Sequence, residues 1–151
     1  MTGGRSQPTK IEILDTFGAV IACIPQRHPG ADLQGCDLSG HDLYQAQLQG
    51  RNLTDVWLYW GSMWNATLDG ACLVGANLCG ANLREASLVG ADLRNANLGH
   101  DAFGKGAWLQ EATLSKANLN RANLVGAFFD DETVFPAGFH PMRRGMIYAP
   151  D

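Results

Sequence analysis

The chain has 151 residues, a formal net charge of −4, 46% hydrophobic residues and 17% charged ones, a size that suits one domain with a real core. The charge is uneven: residues 31–135 hold twelve acidic and six basic residues, a net of −6, which argues against the basic face that direct nucleic-acid binding needs. No run of about 18 apolar residues occurs, so a membrane-spanning helix is excluded.

MTGGRSQPTK, residues 1–10, reads as a flexible N-terminus. It lacks the apolar stretch of a signal peptide, so the expected location is cytoplasmic. Cys23, Cys36, Cys72 and Cys79 form no CxxC pair and are expected there as reduced thiols. IEILDTFGAVIACI, residues 11–24, reads as two short β segments around Asp15-Thr16-Phe17-Gly18, a hairpin signal. PQRHPG then breaks the chain, so residues 11–30 are assigned as an N-terminal cap.

From residue 31 to 135 one period dominates. Stepping by five from Leu33 reaches an apolar residue each time as far as Phe103. One extra residue within Gly104-Lys105-Gly106 shifts the frame, and the series resumes at Leu109 and runs to Val134. Of these 21 centres, 17 are Leu; two residues earlier, 14 of 21 are Ala. Between them usually stands Asp, Asn, Ser or Thr, and Gly recurs two residues after the centre at 35, 40, 50, 70, 75, 80, 90 and 126. A period of five fits neither a helix nor a flat strand. It suits a chain that turns a corner every five residues, with Leu and Ala inward and three positions outward. Ala is needed where two side chains share a narrow interior, and each buried Leu contributes roughly 1.5–3 kcal/mol.

The A-(D/N)-L-X-X pattern, as in GANLCGANLREASLVGADLRNANL, resembles the pentapeptide-repeat family. The resemblance implies an all-β fold, a right-handed quadrilateral β-helix of about five coils stacked at about 4.8 Å. A stacked coil exposes raw edges at both ends and needs caps. The hairpin supplies one; residues 136–151 supply an irregular C-terminal cap, with Phe135, Phe139, Met142, Met146 and Ile147 available to cover the last coil. His41, Arg51, Asp101 and Glu132 occupy small inward positions; since a buried charge is costly unless paired, they are expected at corners open to solvent. GHDAFGKGAW, with His100, Asp101 and Lys105, reads as a tolerated bulge.

No GxSxG, HExxH, P-loop or GxGxxG pattern is present. The cysteines have no metal-ligand spacing. The expectation is a non-enzyme without cofactor or metal, its Asp and Asn residues bonding to nearby turn backbone.

WLYWGSMW, residues 57–64, is the distinctive stretch. Leu58 and Met63 are inward centres, so Trp57, Tyr59, Trp60 and Trp64 point outward. With four quintets per coil, residues twenty apart stack, which sets Trp64 above Tyr44 and pairs Trp108 with Phe128 as a second patch. Tyr44, Trp57, Tyr59, Trp60 and Trp64 thus wrap one corner. Three readings stand: burial under the N-terminal segment, a self-association or partner surface, and a small-ligand or sugar platform. The leading function is a non-catalytic protein-binding or scaffold protein. The alternative, implied by the resemblance, is a DNA-mimicking modulator of DNA gyrase or another topoisomerase, although Arg84, Arg94 and Arg121 share the acidic faces.

Overall fold

The computed structural model describes residues 10–25 and 32–150; the N-terminal segment 1–9 and most of the PQRHPG linker lie outside them. Strands β1 (Lys10–Leu14) and β2 (Val20–Pro25) pair antiparallel, with an irregularity at Ile13 and Leu14. Asp15 makes the turn: its Oδ1 accepts the Phe17 and Ala19 amides at 2.9 and 2.8 Å. Ile13 is buried, and the Leu14 carbonyl accepts the Gln47 amide at 2.6 Å. The hairpin therefore docks on the first level of the repeat region.

From residue 32 the chain winds as a four-sided ladder of single-residue parallel bridges. The columns are Asp37–Trp57–Asn77–Asn97–Asn123, Asp42–Ser62–Asn82–Trp108–Phe128, Gln47–Thr67–Ser87–Thr113–Val134 and Asn52–Cys72–Asp92–Asn118. Corners follow from local chemistry. The amide three residues after each leucine centre except Leu98 returns to that centre's carbonyl, as Cys36 to Leu33 at 3.1 Å. The second of the two residues between them takes a positive φ at most corners, the signature of a type II turn. Glycine fills many of these corners, yet Gln45, Asp55, Trp60, Asn65, Glu85 and others hold φ of 54–61°. The Asp or Asn before the centre braces the corner by accepting the amide two residues on, as Asp37 from Ser39 at 3.0 Å and Asn77 from Cys79 at 3.2 Å.

Leu and Ala fill the interior; every leucine centre from Leu33 to Leu124 is buried. Two expected centres are not. Phe103 is 80% exposed, because the irregularity after Leu98 is six residues rather than one: all four columns step by 26 instead of twenty across it. Residues 100–105 leave the ladder as a loop whose neck is closed by the Ala107 amide on the Leu98 carbonyl at 2.9 Å. Asp101 belongs to that loop and not to an inward position. Val134 is also exposed. Its column steps by 21 there, so Val134 holds the outward rung and Phe135 packs against the core. The extra residue is accommodated at Asp130, whose Oδ1 accepts the Glu111 amide at 3.0 Å and the Thr133 hydroxyl at 2.8 Å.

His41 and Glu132 face solvent, and half-exposed Arg51 pairs with Asp32 at 2.9 Å. At the C-terminal end β3 (Phe128–Phe129) pairs parallel with β4 (Ile147–Tyr148), joined through a 3-10 turn at Pro141–Arg144. Phe129 meets Phe135 edge to face at 5.7 Å and Phe135 stacks on Phe139 at 5.0 Å, and Arg144 donates to the Ala122 carbonyl at 3.0 Å. Among the described residues no helix is long and apolar enough to cross a membrane.

Candidate functional site

The ladder fixes where the aromatic side chains go. Trp57 occupies a bridge position, and Tyr59 and Trp60 follow Leu58 around the corner. Tyr44 and Trp64 sit one level apart on the next side and meet edge to face at 5.9 Å. Exposure is 45% for Tyr44, 55% for Trp57, 49% for Trp60 and 45% for Trp64. The hairpin does not bury them; its tip lies against Gln45 and Gln47.

Tyr59 is half-buried, held by a group that the sequence reading placed elsewhere. The loop folds toward the corner, and Asp101 Oδ2 accepts the Tyr59 hydroxyl at 2.8 Å and the Trp60 Nε1 hydrogen at 3.3 Å. Its other oxygen accepts the Phe103 and Lys105 amides at 2.8 and 3.0 Å. One carboxylate thus shapes the loop and latches it to two rings. Lys105's amide, and then the Tyr59 hydroxyl, hold the Asp101 carboxyl below its ordinary range against the opposing effect of burial. In return the hydrogen bond to Asp101 pushes the Tyr59 phenol up. Burial, with Asp101 adding to it, raises the Cys79 thiol, whose Sγ lies 3.7 Å from the Lys105 carbonyl.

Trp60 itself carries backbone strain. Its φ is +56°, in a column whose corners below and above are Gly40 and Gly80; a bulky residue in the left-handed region is uncommon. Its pyrrole ring lies over Gly80, where a Cβ would stand 3.0–3.2 Å from three ring atoms.

The six-residue loop also moves the second patch. With one extra residue, Trp108 would fall around the corner beyond Trp64; with six, it stacks on Asn82 in the Asp42–Ser62–Asn82 column. Trp108 packs on Phe128 at 5.2 Å, and the Arg84 guanidinium lies 4.7 Å above its ring centre, a cation–π geometry. The two aromatic patches therefore share one side of the rod. Between them runs an open groove of about 320 Å³, walled by Trp60 and Trp108 and floored by Ser62, Gly80, Asn82 and Arg84. The sequence pattern identified the rings and missed both Asp101 and Arg84. Asp101 in an inward position was the available signal, since a carboxylate does not belong there.

Among the described residues no group of three His, Cys, Asp or Glu side chains could hold a metal, and Cys36, Cys72 and Cys79 form no disulfide.

A family model of pentapeptide repeats matches in eight copies over residues 30–65, 62–99 and 105–131, skipping most of the loop. A solved pentapeptide-repeat protein of the Arabidopsis thaliana thylakoid lumen is 32% identical, with 66% of this chain and 68% of that one covered and a TM-score of 0.51. HetL from Nostoc sp. strain PCC 7120, involved in heterocyst differentiation regulation, is 25% identical over 76% of this chain and 58% of its own, also at 0.51. Another Nostoc PCC 7120 pentapeptide-repeat protein is 33% identical over 75% and 84%, with a TM-score of 0.42. A search of curated proteins returned no match.

Proposed function

This chain belongs to the pentapeptide-repeat family, whose fold is a right-handed quadrilateral β-helix, and from that premise we propose that it is a non-catalytic protein-binding or scaffold protein. Its working surface is the aromatic corner. One observation carries the reading: Tyr44, Trp57, Trp60 and Trp64 stand about half exposed on consecutive levels of a rigid ladder. Tryptophan and tyrosine dominate interface hot spots, and rings already fixed lose little freedom on docking. A second copy or another protein would bury them.

The test is sedimentation of the full chain, with capture of partners from the native source, for wild type, Trp57→Ala and Trp64→Ala; Phe17→Ala on the hairpin is the control. The reading expects the added mass or captured partner to be lost with the tryptophans and kept with Phe17→Ala. Unchanged mass and capture with a lowered melting temperature would mean that the rings only stabilise the ladder. A gyrase-supercoiling effect indifferent to these substitutions would move the action to the acidic sides of the rod and refute the aromatic corner.

A further inference from the structure

We propose that the occupant of the groove between Trp60 and Trp108 is the Phe103 loop of a second copy. Two chains then pair about a twofold axis, each seating its Phe103 in the other's groove. This rests on the aromatic corner being an interaction surface, and it names the partner of that surface.

A knob and a hole stand side by side. Gly61 and Gly80 line the groove without side chains, and its volume is about 320 Å³; a cavity of about 150 Å³ already takes a benzene ring. The knob is Phe103, 80% exposed. The Asp101 carboxylate fixes it beside the groove, since one oxygen accepts the Trp60 indole hydrogen at 3.3 Å and the other the Phe103 amide at 2.8 Å. The Asp101 carbonyl accepts the Gly104 amide at 3.0 Å, which closes the loop as a tight turn and orders the knob before docking. Phe103 lines no part of its own chain's groove. Isologous pairing requires one patch that is complementary to itself. A phenyl ring between two indoles, edge to face or offset, supplies that complement twice per dimer.

Area and charge both favour a second copy. At exposures of 45–80%, Tyr44, Trp57, Trp60, Trp64 and Phe103 present roughly 550 Å² of ring surface, taking about 200 Å² for a whole ring. A standard interface covers about 800 Å² on each partner, of which about 450–500 Å² is apolar, so this face suffices alone. Each copy carries a net charge of −4 and repels its like. The groove is where that repulsion is least. None of the residues lining it is acidic, and the Asp101 carboxylate beside it is already held by four donors. Residues 1–9 of the same chain contain no aromatic ring and would leave the indole walls poorly filled.

The test is sedimentation velocity of the full chain over about 1–100 µM, the weak end of affinities for an interface of this size. The wild type should dimerise within that range. Phe103→Ala removes two anchors from each dimer and should weaken association about 100-fold, a tenfold loss for each. Ser62→Glu puts a carboxylate and its bulk into the groove and should do the same. Mixed together, these two variants should recover a dimer only about tenfold weaker than wild type, because the Phe103 of one seats in the intact groove of the other. Phe17→Ala removes an equally exposed ring from the hairpin and should change nothing; unchanged circular dichroism shows that each variant is folded. A wild type that stays monomeric, a dimer indifferent to Phe103→Ala, a mixture that stays monomeric, or an equal loss with Phe17→Ala would each overturn the proposal. A monomer whose melting temperature falls with Ser62→Glu would put a segment of the same chain in the groove and overturn it too. The two readings fail separately. A monomer that still captures a foreign partner through Trp57 and Trp64 refutes the second copy and keeps the aromatic corner. Mass and capture both unmoved by Trp57→Ala and Trp64→Ala refute the corner and, with it, the proposal.

Discussion

Gly80 and Gly90 are nearly identical corners, and alanine at each should behave differently. Their φ angles are +69° and +67°, so an added Cβ carries the same left-handed strain of about 1 kcal/mol in both. The entropy that alanine removes from the unfolded chain is also common to both and cancels in the difference. At Gly90 the new methyl meets nothing within 4 Å; at Gly80 it stands 3.0–3.2 Å from the Trp60 pyrrole ring. The ring must lift. Uncovering about 40 Å² of indole contact costs about 1 kcal/mol, and weakening the Trp60–Asp101 bond adds about 0.5 kcal/mol. Gly80→Ala should therefore melt below Gly90→Ala by about 3–6 °C for a chain of this size, measured by far-ultraviolet circular dichroism. In a Trp60→Ala background the two should become equal. Equal melting in the wild-type background would show that Trp60 is not seated on Gly80.

Asp101 sets a pH dependence whose sign follows from its lowered pKa. Its latch contributes fully above the ordinary aspartate value of 3.8 and is lost as pH falls through the lower folded value. Tryptophan emission should stay flat from neutrality down to that value, and Asp101→Ala at neutral pH should give the acid spectrum with faster tryptic cleavage after Lys105. Deleting residues 100–105 leaves Leu98 and Leu109 five residues apart, the spacing of the rest of the ladder; the rod should keep its circular dichroism while Trp60 emission shifts to the red. Leu78→Ala, in the middle of the buried column, should cost about 2.7–5 kcal/mol. Val134→Ala, at an exposed rung, should cost less than about 1 kcal/mol, and a thermal melt separates the two.

The sequence made the ladder legible because its signal is physical and repeated: Leu and Ala must face a narrow interior, and Asp or Asn must brace each corner. Tyr44 on Trp64 and Trp108 on Phe128 could be placed from a step of twenty alone. Phe103 misled because it is apolar and stands five residues beyond Leu98. Its companion Asp101 had no means of being buried, and only the step of 26 across the columns reveals a loop. The side of the rod on which Trp108 lies followed from that same count, so the groove could not be read before the loop was measured. Arg84 looked like an ordinary surface cation, since its place over Trp108 depends on a neighbour 24 residues away. Val134 was displaced by one residue because Asp130 and Thr133 bond to each other and to the level below, a detail that periodicity does not carry.

The columns of bridges have a thermodynamic consequence. Each level bonds to the one below and the one above, so cooperativity along the rod resembles a one-dimensional chain with nearest-neighbour coupling. Opening should begin at the ends and advance inward. Amide exchange should slow from the hairpin, which is joined through Leu14 and Gln47, toward the middle levels. At the other end three bonds, Gly126 to Gly145, Ile147 to Ala127 and Ala149 to Phe129, resist the same fraying. A molecule lying across Trp60, Asn82 and Trp108 would touch three successive levels at once. It would couple segments that otherwise communicate only with their immediate neighbours, and the slowed exchange would extend over all three.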